Sequence, residues 1–306
     1  MINTLIVGLG NIGFKFDRKN PKKQITHASS IYFHKKFKLV GGVDKKKKIL
    51  KEFSNIYNVP VFTNLKKSLS ETNAQLIIFA YQPSLNDIVL AYNNKNIQFI
   101  LVEKPFLQSV PYTRTLLNKL KKKNIGITIN FQRNFSLKYL KLINQIKKGI
   151  IGNKFKIYCY YSNNFFNNGV HFLNLITSFL KDIKNINLID NKNENLHIKF
   201  KNGDVYFFKV INNKYNNNSM SVFGDKGKIE IISRPEKCTI YKPVRDSKYE
   251  NYFILKKIRS FSLENKFVQK SVLDNIYDSM NGNKKLIFDE KKLFNYINII
   301  NKIKLP

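Results

Sequence analysis

The sequence holds no apolar run near the roughly 18 residues that a helical membrane span requires. Its opening, Met1-Ile2-Asn3-Thr4, enters a strand-like segment without the basic stretch that begins a secretory signal, so a cytoplasmic protein with no membrane partner is expected. Cysteine is scarce. Cys159 and Cys238 stand far apart, with no CxxC spacing and no Cys/His cluster, which argues against a disulfide framework and a zinc site; no metal is expected, and both thiols read as buried apolar residues. Acidic residues are also few, 20 against 54 Lys and Arg, giving a net charge of +34. Such a balance invites a nucleic-acid reading. The lysines are scattered, however, and the short runs at Lys45–Lys48 and Lys121–Lys123 look like solvated helix faces. Together with abundant Asn and Ile and the absence of Trp, they match the coding bias of an AT-rich genome. No specific nucleic-acid partner is expected.

What is present is ample core material, 43% hydrophobic and 13% aromatic residues in 306, enough for two domains of ordinary size. The apolar run Thr4-Leu5-Ile6-Val7 leads directly into Gly8-Leu9-Gly10-Asn11-Ile12-Gly13. In a strand-to-helix turn this spacing suits a pyrophosphate: the first glycine permits the turn, the second lets the backbone approach the phosphates, and the third lets the helix pack closely. Gly8, Gly10, Asn11, Ile12 and Gly13 are therefore cofactor candidates. A second apolar strand, from Phe37 to Val43, ends at Asp44, where a carboxylate would accept hydrogen bonds from ribose hydroxyls. The interval from Gly13 is long because a polar stretch, Lys15 to Thr26, is inserted before a helical piece that begins near His27. With no Arg after Asp44 to receive a 2′-phosphate, NAD is favoured over NADP, with Lys45 and its neighbours weighing the other way.

The alternation continues with a helix through about Tyr57 and strands at 59–62, 74–80 and 99–102, with a helix from Ser84 to Asn94 between the last two. Strands alternating with helices predict a doubly wound parallel sheet of Rossmann type. Ligands of such sheets lie beyond the carboxyl ends of the strands, so Tyr81-Gln82-Pro83 and Glu103-Lys104-Pro105 should border the cofactor.

With these pieces in place, the sequence resembles the glucose-fructose oxidoreductase, inositol dehydrogenase and rhizopine-catabolism (Gfo/Idh/MocA) family. The resemblance is carried by Gly8 to Gly13, His27-Ala28, Gly42-Val43-Asp44, Pro83 and above all Glu103-Lys104-Pro105. It extends through Phe131-Gln132-Arg133-Asn134, Gly149 to Gly152 and the hairpin-like Gly224-Asp225-Lys226-Gly227. It implies an α/β fold: a Rossmann domain over 1–128, then an α+β substrate and dimerisation domain over 129–306 with an open, largely antiparallel sheet, its C-terminal helix able to pack back on the first domain. It also implies an NAD-dependent oxidoreductase acting on a sugar or nucleotide sugar, such as a surface-polysaccharide precursor, and assembling as a homodimer or homotetramer. Two departures stand out: Asn86 where many relatives carry His, and Asn167 where many carry Asp. Asn86 is kept among the cofactor candidates.

On a helix, Asn167 and His171 share one face, continued by Asn174 and Ser178, beside an apolar stripe of Val170, Leu173, Ile176 and Phe179. Periodicity alone favours the wet side of an amphipathic helix. The resemblance turns His171 into a catalytic candidate beside Lys104, both acting on one substrate oxygen, with Asn167 orienting the sugar and Asn164, Gln132 and Arg133 as further substrate contacts. Either Lys104 or His171 can be the base, since imidazole titrates near neutrality and a desolvated lysine falls toward it. His34 and His197 read as structural or surface residues, and His27 as a packing residue of the first domain. A catalytically silent NAD-binding regulator is the alternative.

Overall fold

The computed structural model describes residues 1–190, 194–211 and 218–303. Two compact units divide them. The first is Met1–Phe135 with Lys266–Asn301, and the second is Ser136–Asn265 with Lys302 and Ile303.

The first unit alternates strictly: β1 (Ile2–Val7), α1 (His27–Tyr32), β2 (Phe37–Val43), α2 (Lys47–Tyr57), β3 (Val61–Phe62), α3 (Leu65–Glu71), β4 (Leu76–Phe79), α4 (Leu85–Asn93), β5 (Phe99–Val102), α5 (Val110–Lys122) and β6 (Gly126–Ile129). Its six strands run parallel in the order β3-β2-β1-β4-β5-β6. Strands β4 and β5 are buried along their whole length, which is why they read as unbroken apolar runs and not as alternating ones. Helix α2 buries Ile49, Leu50, Phe53 and Tyr57 and turns its lysines outward.

The glycine turn does not open directly into a long helix. One turn forms, with Phe14 N–H on Gly10 O at 2.9 Å, and the chain then leaves through two short 3-10 turns at Lys15–Asp17 and Pro21–Lys23. The helical ladder resumes at α1, where the N–H groups of His27 and Ala28 bond the carbonyls of Ile12 and Gly13 at 3.0 and 3.1 Å. The insertion is thus a loop spliced into one helix. Its base is tied by the buried Asp17 carboxylate, which accepts from Ile25 N, Thr26 N, Thr26 Oγ1 and Ser29 Oγ at 2.5–3.1 Å.

The second unit begins with α6 (Leu137–Lys147) and holds eight strands: β7 (Phe155–Tyr161), β8 (Ile183–Asp190), β9 (Asn195–Phe200), β10 (Gly203–Lys209), β11 (Ser219–Gly224), β12 (Gly227–Ser233), β13 (Glu236–Arg245) and β14 (Phe253–Ser262), with α7 (Val170–Ile176) after β7. The sheet order is β14-β13-β12-β11-β7-β10-β9-β8, antiparallel at each pairing except β7 with β10. Alternation sets its faces: Phe155, Ile157, Cys159 and Tyr161 of β7 are buried, and Lys156, Tyr158 and Tyr160 point the other way. Gly224-Asp225-Lys226-Gly227 is the β11–β12 hairpin, and the Asp225 carboxylate accepts from Asn153 N and Lys154 N next to Gly152.

Two C-terminal helices, α8 (Val268–Met280) and α9 (Glu290–Ile300), return to the first unit. The division at Phe135/Ser136 therefore differs from the expected boundary at 128/129. Phe131 explains it: the ring is buried against Phe288 and Tyr296, with centroids 5.3 and 4.9 Å away, so Phe131-Gln132-Arg133-Asn134 closes the first unit and does not open the second.

Candidate functional site

The parallel register aligns five strand ends in the first unit. Val43, Val7, Phe79, Val102 and Ile129 pair in one row, and the next residues, Asp44, Gly8, Ala80, Glu103 and Asn130, start at one level at the carboxyl edge. The N–H groups of Gly8, Ala80, Glu103 and Asn130 each bond the adjacent strand at 2.8–2.9 Å, so this row is an extension of the sheet and as rigid as it.

The glycine turn meets the demands of a pyrophosphate. Gly8 has φ +92°, which a side chain would strain, and a Cβ at Gly13 would fall 2.1 Å from Gly8 O. At Gly10 a Cβ would meet nothing within 4 Å, which leaves the approach that the phosphates of a dinucleotide require. Asn11 and Ile12 complete the turn, exposed and half-buried. The Asp44 carboxylate holds the turn from the side: Oδ2 accepts from Leu9 N and Oδ1 from Lys46 N, both at 2.9 Å. Each carboxylate oxygen has a second lone pair to offer a ribose hydroxyl. Lys45 is exposed, and an open cleft of about 570 Å³ beside it is lined by Lys15, Arg18, Lys46, Lys48 and Lys51, with Arg18 paired to Glu52 at 3.1 Å.

Tyr81 lies against this turn, its Cδ1 2.8 Å from where a Gly8 Cβ would stand, and its hydroxyl donates to Asp87 at 3.0 Å. Burial, and then the Asp87 charge, push the phenol's pKa up and keep it neutral. Gln82 reaches the Leu107 carbonyl at 3.4 Å, and the Pro83 carbonyl accepts from Gln108 at 3.4 Å. Asn86 is exposed on the first turn of α4, whose start is fixed by the reciprocal Ser84/Asp87 capping pair.

Glu103 is buried, and its carboxylate is taken up within the protein. Its Oε1 meets His27 Nε2 at 2.8 Å and Asn130 Nδ2 at 2.5 Å, and its Oε2 accepts from Lys104 N at 3.2 Å. Lys104, half-buried, has its pKa lowered chiefly by desolvation; Glu103 opposes the shift and the Arg133 charge adds to it. Gln132 and Arg133 sit in a 3-10 turn, Gln132–Phe135, after β6. The sequence reading missed Asn130 and Gln269. Asn130 was detectable, because it follows β6 in the slot that Glu103 occupies after β5. Gln269, on α8 with Oε1 3.2 Å from Asn130 Nδ2, had no local signal.

In the second unit, the expected helical face from Asn167 to Ser178 does not form as one face. Phe165–Gly169 is a π-turn and α7 starts only at Val170. A π-turn carries about one residue more per turn than an α-helix, so positions four apart no longer stack there. Asn164 Oδ1 caps the π-turn through Asn167 N at 2.8 Å, Asn167 is exposed, and His171 is half-buried. Asn174 is buried, and Ser178 lies past the end of α7 with its hydroxyl on Asn174 O. The stripe of Val170, Leu173, Ile176 and Phe179 is buried as expected.

The remaining histidines are occupied: His34 by Asp274 at 3.2 Å, and His197 by Asp204 at 2.9 Å and by stacking on Tyr206. Both cysteines are buried, and burial pushes their thiols up, away from nucleophilic use. Among the described residues, no group of three or more His, Cys, Asp or Glu could hold a metal, and no helix is long and apolar enough to cross a membrane.

Comparison with known proteins bears on this geometry. Residues 2–131 match the model of the Gfo/Idh/MocA oxidoreductase family, described as an NAD-binding Rossmann fold. A curated relative, an uncharacterized oxidoreductase of Schizosaccharomyces pombe, is 27% identical over 95 residues, which are 31% of this chain and 26% of that protein. Among solved structures, the UDP-N-acetylglucosamine 3-dehydrogenase GnnA of Acidithiobacillus ferrooxidans superposes with TM-score 0.72 at 11% identity, over 99% of this chain and 96% of its own. The WlbA dehydrogenase of Bordetella pertussis, solved with NADH and UDP-GlcNAcA, gives 0.71 at 13% identity, over 99% and 94%. A dehydrogenase of Chromobacterium violaceum gives 0.75 at 13% identity, over 99% and 94%.

Proposed function

Because residues 2–131 match the Gfo/Idh/MocA oxidoreductase family model, we propose that the whole chain is an NAD-dependent dehydrogenase or reductase of that kind, acting on a secondary alcohol or ketone of a sugar or nucleotide sugar. One observation carries the reading: a half-buried lysine of lowered pKa stands two residues past β5, next to Glu103 in the row of strand ends that holds Gly8 and Asp44. The likeness in fold to GnnA and WlbA supports the substrate class, and a role in surface-polysaccharide synthesis is the extension of that class.

Bound NAD would supply the hydride acceptor. The residues have the remaining work. Gly8, Gly10, Asn11, Ile12 and Gly13 would receive the pyrophosphate against backbone N–H groups, and Asp44 the adenosine ribose, with NAD preferred to NADP. Tyr81, Gln82, Pro83 and Asn86 would flank the dinucleotide. Lys104 and His171 are the proton-handling candidates. A lysine whose pKa has fallen can take the hydroxyl proton as the carbon is oxidised, or, protonated, can stabilise negative charge developing on that oxygen. Arg133, Gln132, Asn164 and Asn167 are the candidate sugar contacts.

We also propose that two copies of the chain associate through the outer face of the second unit's sheet. Tyr158, Tyr206 and Phe208 stack there, and the charges beside them are already paired, Lys228 with Glu230 and His197 with Asp204. On a chain of net charge +34, an aromatic ladder with part of its charge paired is where like copies repel less, with Lys156 and Lys199 on the same face the cost to be met. No specific nucleic-acid or membrane partner is proposed.

The test is turnover. A panel of UDP- and other nucleotide sugars, together with free inositols and hexoses, is offered with NAD or NADH while nicotinamide absorbance is followed. Saturable turnover on a nucleotide sugar is the expected result. Tight NAD binding with no turnover on any sugar would instead favour the silent regulator, the reading that Asn86 and Asn167 support.

A further inference from the structure

Four buried side chains of the first unit form a connected polar chain behind the Glu-Lys-Pro turn. His27 opens α1, Glu103 follows β5, Asn130 follows β6, and Gln269 belongs to α8; each is 6% exposed or less. The Glu103 carboxylate is the hub, with His27 and Asn130 on one oxygen and the backbone N–H of Lys104 on the other. Asn130 Nδ2 also reaches Gln269 Oε1. His27 and Asn130 thus meet on the carboxylate adjacent to Lys104, and Gln269 joins the chain behind Asn130.

A packing role alone does not require this arrangement. Burying a carboxylate is costly unless donors surround it, and an apolar residue at 103 would fill the same space without that cost. What the carboxylate adds is a fixed backbone at Lys104 and a negative charge beside a desolvated ammonium. Among the groups that act on Lys104, Glu103 holds its proton on, while burial and then Arg133 drive it off. The Lys15–Thr26 insertion feeds into the same chain. Asp17 ties Thr26 and Ser29, so it fixes the first turn of α1 and with it the ring of His27.

We propose that His27 and Asn130 are positioning residues for Lys104: by clamping the Glu103 carboxylate they fix the lysine's backbone and the charge it feels. The inference rests on the reading of Lys104 as a proton-handling residue, but it can be tested without a substrate. Competitive acetylation with trace acetic anhydride across a pH series, read by peptide mass spectrometry on the full-length protein, gives a titration midpoint for Lys104, with exposed lysines as internal references. Glu103→Gln should lower the midpoint, because a neighbouring negative charge is removed. His27→Ala should move it, and His27→Gln, which keeps a donor near the Nε2 position, should return it to within about 0.3 units, well inside the scatter of roughly one unit among folded-protein values. Asn130→Ala should move it and Asn130→Ser less so. Thermal unfolding of each variant separates these shifts from loss of the fold, and the reference lysines should hold still. A Lys104 midpoint unchanged in folded Glu103→Gln and His27→Ala proteins would overturn the proposal. Normal turnover by Lys104→Ala would instead overturn the reading beneath it, and the two failures are distinguishable.

Discussion

The turn after β5 and the segment before α7 both carry candidate catalytic groups, and they are built in opposite ways. At Glu103-Lys104 the backbone continues a parallel ladder, and a buried carboxylate is clamped by His27 and Asn130, partners from two other places in the sequence. At 164–171 the backbone departs from its ladder. A π-turn is held by the Asn164 cap, by Glu194 accepting from Phe165 N and by Asn168 donating to Ser162 O, and Gly169 is required because a Cβ there would come 2.4 Å from the Phe165 ring. The first arrangement fixes a lysine and tunes its charge; the second sets an exposed amide and a half-buried imidazole on a locally widened helix. Rigid support and adjustable contact are divided between the two units.

The largest expected effects test whether both places serve chemistry. Lys104→Ala and His171→Ala should each lower turnover by roughly 100- to 10,000-fold, the range of a positioned acid-base group. The double variant should lose less than the product of the two, as residues serving one transition state do. Steady-state rates on a turned-over substrate decide it; a large loss from only one of the two would confine the chemistry to that unit.

The next effect concerns the π-turn. Gly169→Ala should destabilise the protein by about 1–3 kcal/mol, the usual cost of forcing extra atoms into a packed site, as read by denaturant unfolding. A neutral result would mean that the turn relaxes to ordinary helix at little cost, and the contrast between the two regions would weaken.

At the β5 turn the comparison sharpens through pH. The folded-state pKa of Lys104 is depressed below the ordinary value of 10.5 by burial, so the unfolded chain holds that proton more tightly. Its contribution to stability is therefore present above about 10.5 and is lost as pH falls through the folded value. Lys104→Met should accordingly be the more stable protein at neutral pH, with the gap closing as pH rises toward 10.5. A gap independent of pH would show that packing, not the buried charge, sets the difference.

The smallest effect is expected at Asn167. Because the side chain is exposed and the cap accepts from the backbone N–H, Asn167→Asp should retain the fold and most of the activity. Loss of turnover without loss of stability would show that this position must be neutral.

How far the sequence revealed these regions follows from the same contrast. Gly8 to Gly13, Asp44 and Glu103-Lys104-Pro105 were legible because each follows a buried apolar strand, and a parallel register puts strand ends at one level whatever the intervening lengths. The insertion could be seen as a break in spacing, but not the Asp17 knot that closes it, which depends on donors eight to twelve residues away. Asn167 and His171 were placed on one α-helical face because four-residue counting assumes 3.6 residues per turn; a single π-turn removes that assumption without changing any apolar position. The family resemblance implies a C-terminal helix able to pack back on the first domain, but the part of α8 in this return and the burial of Phe131 against Phe288 and Tyr296 are long-range packing events with no local sequence mark beyond an amphipathic pattern.

The central claim is that the glycine turn and Asp44 bind the dinucleotide while Lys104 serves the reaction. Calorimetric titration of NADH and NADPH into the wild-type, Asp44→Ala and Lys104→Ala proteins tests it most directly. The account predicts that wild type prefers NADH, that Asp44→Ala weakens NADH binding about tenfold or more, as loss of charge-assisted hydrogen bonds should, and that Lys104→Ala binds NADH nearly as wild type does. Equal or tighter NADPH binding by wild type, or an Asp44→Ala protein that binds NADH unchanged, would contradict it and move ribose recognition to the lysine-lined cleft beside Lys46.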